Sequence, residues 1–213
     1  MLMNSSKFEL PTANGVAKAR DEFNIDRETK LIEPALTALF GTYPGNTNAA
    51  EVLLKVVTLN NLYSTRIPTR AADRPNVFDI AECIPNLKLD EAFKGGSLEI
   101  VNVISTTQFP GKRKVNRFAF ATKYASWHRQ DVYPMWDGNV QRYLSYLWQL
   151  RGADWEKFSA GFRLSGDWGY PEFHGLMVRF RAHYGLDAFS FKDLDKFLWL
   201  RGAALKPDTG TQI

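Results

Sequence analysis

NRFAFATKYASWHRQDVYPMWDGNVQRYL, residues Asn116 to Leu144, decides how the rest of the chain is read. From Val115 to Trp127 the residues predict a helix, and a loop from His128 to Trp136, containing Pro134, interrupts it. Asp137 then stands where an N-cap belongs, since its carboxylate can accept the free amides of a first helical turn. Behind it Val140, Tyr143, Leu144, Leu147 and Trp148 recur at the spacing of one buried helix face, as far as about Leu150, and Gly152 closes the element.

Working outward, the same periodicity predicts helices over Asp26 to Phe40, with Pro34 delaying its start or kinking it, and from a Thr47 or Asn48 cap to Tyr63. Shorter ones follow at Val77 to Ile84 and Lys88 to Lys94, the second stopped by Gly95 and Gly96. LEIVNVIS, capped by Ser97, reads as a helix, although its β-branched residues leave a strand open. On the C-terminal side come Asp154 to Phe162, Pro171 to Tyr184, and FKDLDKFLWLRG behind a capping box of Ser190 and Asp193. With about nine helical segments, no series of alternating strands and no internal repeat, the expected fold class is all-α. Residues 1–25 read as an N-terminal arm, 26–205 as a single all-α globular unit in which 50–130 can form a central lobe, and 206–213 as a polar tail.

Composition narrows the function classes. A hydrophobic fraction of 45% with 14% aromatics is that of a folded domain, and no apolar run approaches the roughly 20 residues of a membrane span. The start shows no secretory-signal pattern, and the single Cys83 forms no internal disulfide framework, so a cytoplasmic protein without a membrane partner is expected. The net charge of +4 is modest, but its distribution is not. Between Ile100 and Gln130 there is no acidic residue, and Lys112, Arg113, Lys114, Arg117, Lys123 and Arg129 contribute six positive charges, leaving the remainder of the chain at −2.

His128, His174 and His183 share no metal-ligand spacing with each other or with Cys83, and there is no Walker loop, GxGxxG or GxSxG. No metal or cofactor is therefore expected. Lys112, Arg113, Lys114 and Arg117 are candidates for phosphate contacts, against the alternative of an ordinary solvated turn. Tyr124, Trp127, Tyr133 and Trp136 are candidates for stacking on a base, against the alternative of core packing. Asp137 is the sharpest candidate. A carboxylate that caps a helix and faces a Lys can also stabilise developing positive charge or activate water, and the two roles are compatible.

Three segments together resemble the helix-hairpin-helix base-excision DNA glycosylases, the endonuclease-III-like superfamily. EVLLKVVTLNNLYSTRI, Glu51 to Ile67, resembles that family's opening helix, with Asn60 and Asn61 where its polar, DNA-proximal segment falls. Lys123-Tyr124-Ala125 resembles the hairpin's Lys-Thr-Ala, and the run from Tyr133 to Arg142 resembles Phe-Pro-Val-Asp-Thr-His-Val-x-Arg. The family's Gly-x-Gly before the Lys is replaced here by FAFAT, and its four-Cys cluster loop has no counterpart. The resemblance implies two helical lobes with a cleft between them, a base flipped from duplex DNA that carries a modified or damaged base, and hydrolysis of its N-glycosidic bond. It implies Asp137 as the catalytic carboxylate, Lys123 as the Schiff-base Lys of bifunctional members, and Arg142 as a basic partner on the next helix. Two other readings stand beside it: a non-catalytic helical nucleic-acid-binding protein, and an all-α interaction module presenting Trp148, Trp155, Trp168 and Trp199.

Overall fold

Eleven α-helices and one 3-10 turn make up the regular structure of residues 8–206, the part that the computed structural model describes, and no strand occurs among them. The all-α expectation holds. The centre of the molecule is the helix Phe118–His128, α7, in which every residue from Phe120 to Trp127 is buried. A helix apolar on one stripe needs one neighbour; a helix buried on all sides must be surrounded. Around α7 pack α2 (Thr29–Thr42), α3 (Ala49–Tyr63) and α6 (Glu99–Thr106), with α4 (Val77–Cys83) on α3 and the short α5 (Leu89–Lys94) beside α6.

A second group is built on α8 (Gly138–Leu150) and α11 (Phe191–Ala204), which cross closely; α1 (Ala13–Ile25) packs on α11, while α9 (Gly152–Ser159) contacts α8 and α10 (Tyr170–His183). The close crossing of α8 and α11 depends on Gly202, where a Cβ would overlap the backbone carbonyl of Asn139. Arg142 fastens the same crossing, donating from Nη1 to Asn139 Oδ1 at 2.8 Å and to Gly202 O at 3.0 Å.

Several sequence expectations need revision. Ala13–Ile25 is helical rather than part of a loose arm; Thr12 caps it, and Val16 and Ala19 are wholly buried. Its contact face is made of small residues, so its apolar periodicity is faint. The remainder of the expected arm before Phe8, and the expected tail from residue 207, lie outside the described residues. α2 begins at Thr29, later than the expected Asp26, and runs through Pro34 to Thr42. LEIVNVIS belongs to a helix, with Leu98 rather than Ser97 at its cap. FAFAT is the start of α7 itself, so no turn immediately precedes Lys123; α6 and α7 are joined instead by the link 107–117.

Candidate active site

Asp137 caps α8 with one carboxylate oxygen and leaves the other free for a cation. Oδ1 accepts from Asn139 N at 2.8 Å and Val140 N at 3.1 Å, while Oδ2 lies 3.4 Å from Lys123 Nζ. Lys123 sits in the middle of α7 with its side chain only 2% exposed, and Nζ also donates to Trp136 O at 3.0 Å. Thr122 secures the same strand of chain by accepting from Trp136 N at 3.1 Å. The Pro134 loop is thus pinned against α7, which brings a helix N-terminus to a buried ammonium. The Asp137 carboxylate is not sealed: 19% of its side chain remains exposed.

Residues from three other helices complete the cluster, and sequence reading missed all of them. From α3, the Tyr63 ring lies under Lys123 Nζ at 5.6 Å, and its hydroxyl accepts from Trp127 Nε1 at 3.0 Å. From α11 come Lys192, 4.4 Å above the Trp127 ring, and Asp195. From α2, Glu33 receives Lys192 at 3.4 Å and Lys196 at 3.2 Å. Asp195 is half-buried, and its Oδ1 is shut away from solvent with no hydrogen-bond partner among the described residues.

The electrostatics follow from burial. Burial, reinforced by the nearby Asp137 charge, pushes the Asp195 carboxyl up to about 7 against the pull of Lys192 and Lys123. Burial likewise lowers Lys192, opposed by Glu33 and Asp195. Tyr63 is held far above the ordinary phenol range by burial, so its hydroxyl stays protonated. The cluster thus sets Asp195, whose carboxyl burial holds protonated near neutrality, close to the carboxylate that caps α8. The signal for α11 lay in FKDLDKFLWLRG, where Lys192, Asp195 and Lys196 fall at i, i+3 and i+4 among the apolar residues Leu194, Phe197 and Leu198.

The remaining expected site residues separate. Tyr124 and Tyr133 are wholly buried in the core rather than open to a base, and the Tyr133 hydroxyl is spent on Ser97 O at 3.1 Å. The Trp136 ring packs on Trp168 at 4.9 Å and Phe173 at 5.1 Å; its backbone, not its ring, serves the Lys123 contact. Asn60 clamps the end of α3, bonding Thr65 Oγ1, Ile67 N and Ile67 O, while Asn61 is exposed. Lys112 is paired with Asp79 at 2.6 Å, and Arg117 is buried and donates to Thr107 O at 2.6 Å and Val115 O at 3.0 Å, which makes both structural. Only Arg113 and Lys114 of that basic run are exposed. Of the four tryptophans considered as partner surface, Trp148 and Trp199 are exposed and Trp155 is core.

Trp127 also lines a cavity of about 700 Å³ with Phe40, Phe93, His128 and Arg129. His128 is neutral there, burial having pushed it down to about 3. Among the described residues no His, Cys, Asp and Glu group has the arrangement of a metal site, and no helix is long and apolar enough to cross a membrane.

The fold and site define an all-α protein with a lysine and carboxylate cluster at the junction of α2, α3, α7, α8 and α11. The chain belongs to the HI_0787_N family, whose profile, described as an N-terminal domain, matches residues 15–132. It is also similar, at 29% identity over 201 residues, to an uncharacterized protein of Haemophilus influenzae, covering 91% of this chain and 90% of that one. No solved structure matches it. The family match takes in Glu33, Tyr63, Lys123 and Trp127 and ends before Asp137; the Haemophilus relative extends over most of the chain.

Proposed function

We propose that the protein hydrolyses the N-glycosidic bond of a nucleotide extruded from duplex DNA, with Asp137 as the group that stabilises positive charge and activates water. The reading is carried by the 3.4 Å contact of Lys123 with Asp137 at the N-terminus of α8. Extrusion exposes the sugar carbon C1′, which is inaccessible in the stack. As the bond from C1′ to the base nitrogen breaks, its electron pair leaves with the base and positive charge develops on the sugar, opposite Asp137 Oδ2. Water adds to C1′ and gives a proton to Asp137, and the departing nitrogen takes a proton from Asp195. The products are the free base and a C1′ hydroxyl, after which Asp137 gives up its proton to water and Asp195 regains one.

Lys123 orients Asp137 in this scheme. It attacks C1′ itself only after its ammonium has lost a proton, and that second chemistry leaves a covalent imine that borohydride traps.

The test is incubation with duplexes carrying a panel of modified or damaged bases, followed by alkali to reveal abasic sites. With a substrate found, Asp137→Asn is expected to lower the rate by about 10²- to 10⁴-fold. Undiminished product in Asp137→Asn overturns the role given to the carboxylate. A borohydride adduct that persists in Lys123→Ala removes Lys123 as a nucleophile.

A further inference from the structure

Two loops far apart in sequence are tied together beside the cluster. The segment 64–75 leaves α3 directly after Tyr63, and Asn60 holds its beginning through the three hydrogen bonds to Thr65 and Ile67. Val77 N donates to Pro68 O at 3.0 Å and closes the rest into a compact loop. The link 107–117 docks on that loop: Arg113 N donates to Asp73 O at 2.7 Å, Lys112 Nζ reaches Ala71 O at 3.5 Å, and Lys112 pairs with Asp79 below.

The docking gathers Arg66, Arg70, Arg74, Arg113 and Lys114, all of them exposed, and none pairs with a carboxylate among the described residues. Asp73 is the only acidic residue in either segment. Ser64 and Arg66 hold left-handed backbone at φ 50° and 62°, so the chain accepts strain to turn out of α3 at this place. Uncompensated like charge on two loops is costly to gather unless a polyanion neutralises it, and four guanidinium forks suit phosphate oxygens.

We propose that loops 64–75 and 107–117 together form a phosphate-binding surface for the backbone of duplex DNA, set beside the Tyr63, Lys123 and Asp137 cluster. The inference rests on the base-excision reading for its choice of DNA as the polyanion, and it replaces the single basic run 112–117 with a composite of two loops. Lys112 and Arg117 build the surface and do not face the ligand. Five phosphate contacts give a slope of about −4.5 in log affinity against log salt, a loss of roughly 500-fold between 50 and 200 mM salt.

The test is fluorescence anisotropy of a labelled, unmodified 20-base-pair duplex titrated with the full chain across that salt range. The triple substitution Arg70→Gln, Arg74→Gln, Arg113→Gln spans both loops, and Arg27→Gln, Lys30→Gln, Lys94→Gln removes the same number of exposed cations elsewhere. The first triple is expected to bring the slope to about −1.8, at 0.9 per lost contact, and the second to leave it unchanged. Equal slopes for the two triples, with circular dichroism showing both folded, overturn the proposal. So does binding of phosphatidylserine vesicles that the first triple abolishes while the wild type ignores DNA. Because the duplex is unmodified, binding needs no bond cleavage. Absent base release with intact, loop-dependent binding therefore refutes the catalytic reading alone.

Discussion

Asp195→Asn removes a carboxyl whose proton the folded protein holds near neutrality. Asn has nearly the same shape, so the substitution deletes a charge without opening a cavity. The folded-state value is about 7 against an ordinary 3.8, so between these limits the native protein binds a proton that the unfolded chain has released. Stability contributed by this group is complete below about pH 4 and is lost as pH rises towards 7. At about 1.4 kcal/mol per pH unit the full loss is at most about 4 kcal/mol. Losing the electrostatic pull of Lys192 and Lys123 offsets some of the gain in the variant. Asp195→Asn is therefore expected to match the wild type near pH 4 and to be more stable by about 2–4 kcal/mol at pH 8. For a chain of this size that is a rise in melting temperature of roughly 4–16 °C. Urea denaturation of both proteins at steps from pH 4 to 8 measures the difference directly. A difference that stays flat with pH, or a variant less stable at pH 8, refutes the claim that Asp195 is held protonated by burial beside Asp137.

Gly202→Ala places a methyl group against the Asn139 carbonyl and forces α8 from α11, and urea denaturation should show a loss of about 1–3 kcal/mol or more. The same substitution moves Asp137 relative to Asp195, so base release, once a substrate is found, should fall further than stability alone accounts for. Lys55, wholly buried, donates to Tyr43 O, Gly45 O and Asn46 Oδ1 between α2 and α3; Lys55→Met strands these acceptors and should cost about 2–4 kcal/mol. Arg117→Leu should weaken folding by about 1–3 kcal/mol, because Thr107 O and Val115 O lose their donor, yet leave the salt dependence of DNA binding unchanged. A changed slope in a folded Arg117→Leu protein would place that guanidinium on the ligand.

The helices α3, α8, α10 and α11 were legible because each combines a sustained apolar repeat with a local start or stop signal, such as the Asp137 cap or the Ser190 and Asp193 box. α1 was not, since small residues bury little area and leave a weak pattern. At the site, Asp137 and Lys123 could be paired from their places at the mouth of one helix and on the preceding one. Tyr124, Tyr133 and Trp136 could not be sorted into base-facing or core rings, because an aromatic residue has the same periodicity in either place. Lys112 and Arg117 illustrate the same limit for charge: their partners Asp79 and Thr107 O are met only when the link folds onto its neighbours.

Local chemistry along the chain was enough to determine an all-α protein, the cap at Asp137 and an excess of positive charge between Ile100 and Gln130. These depend on hydrogen bonds and side-chain spacings within a few residues. Tertiary structure alone decided that Asp195, Lys192, Glu33 and Tyr63 join Lys123 and Asp137, and that Arg66, Arg70 and Arg74 lie with Arg113 and Lys114. Burial and the proximity of distant charges set protonation states and exposed fields, and both are properties of packing among helices that sequence order does not encode locally.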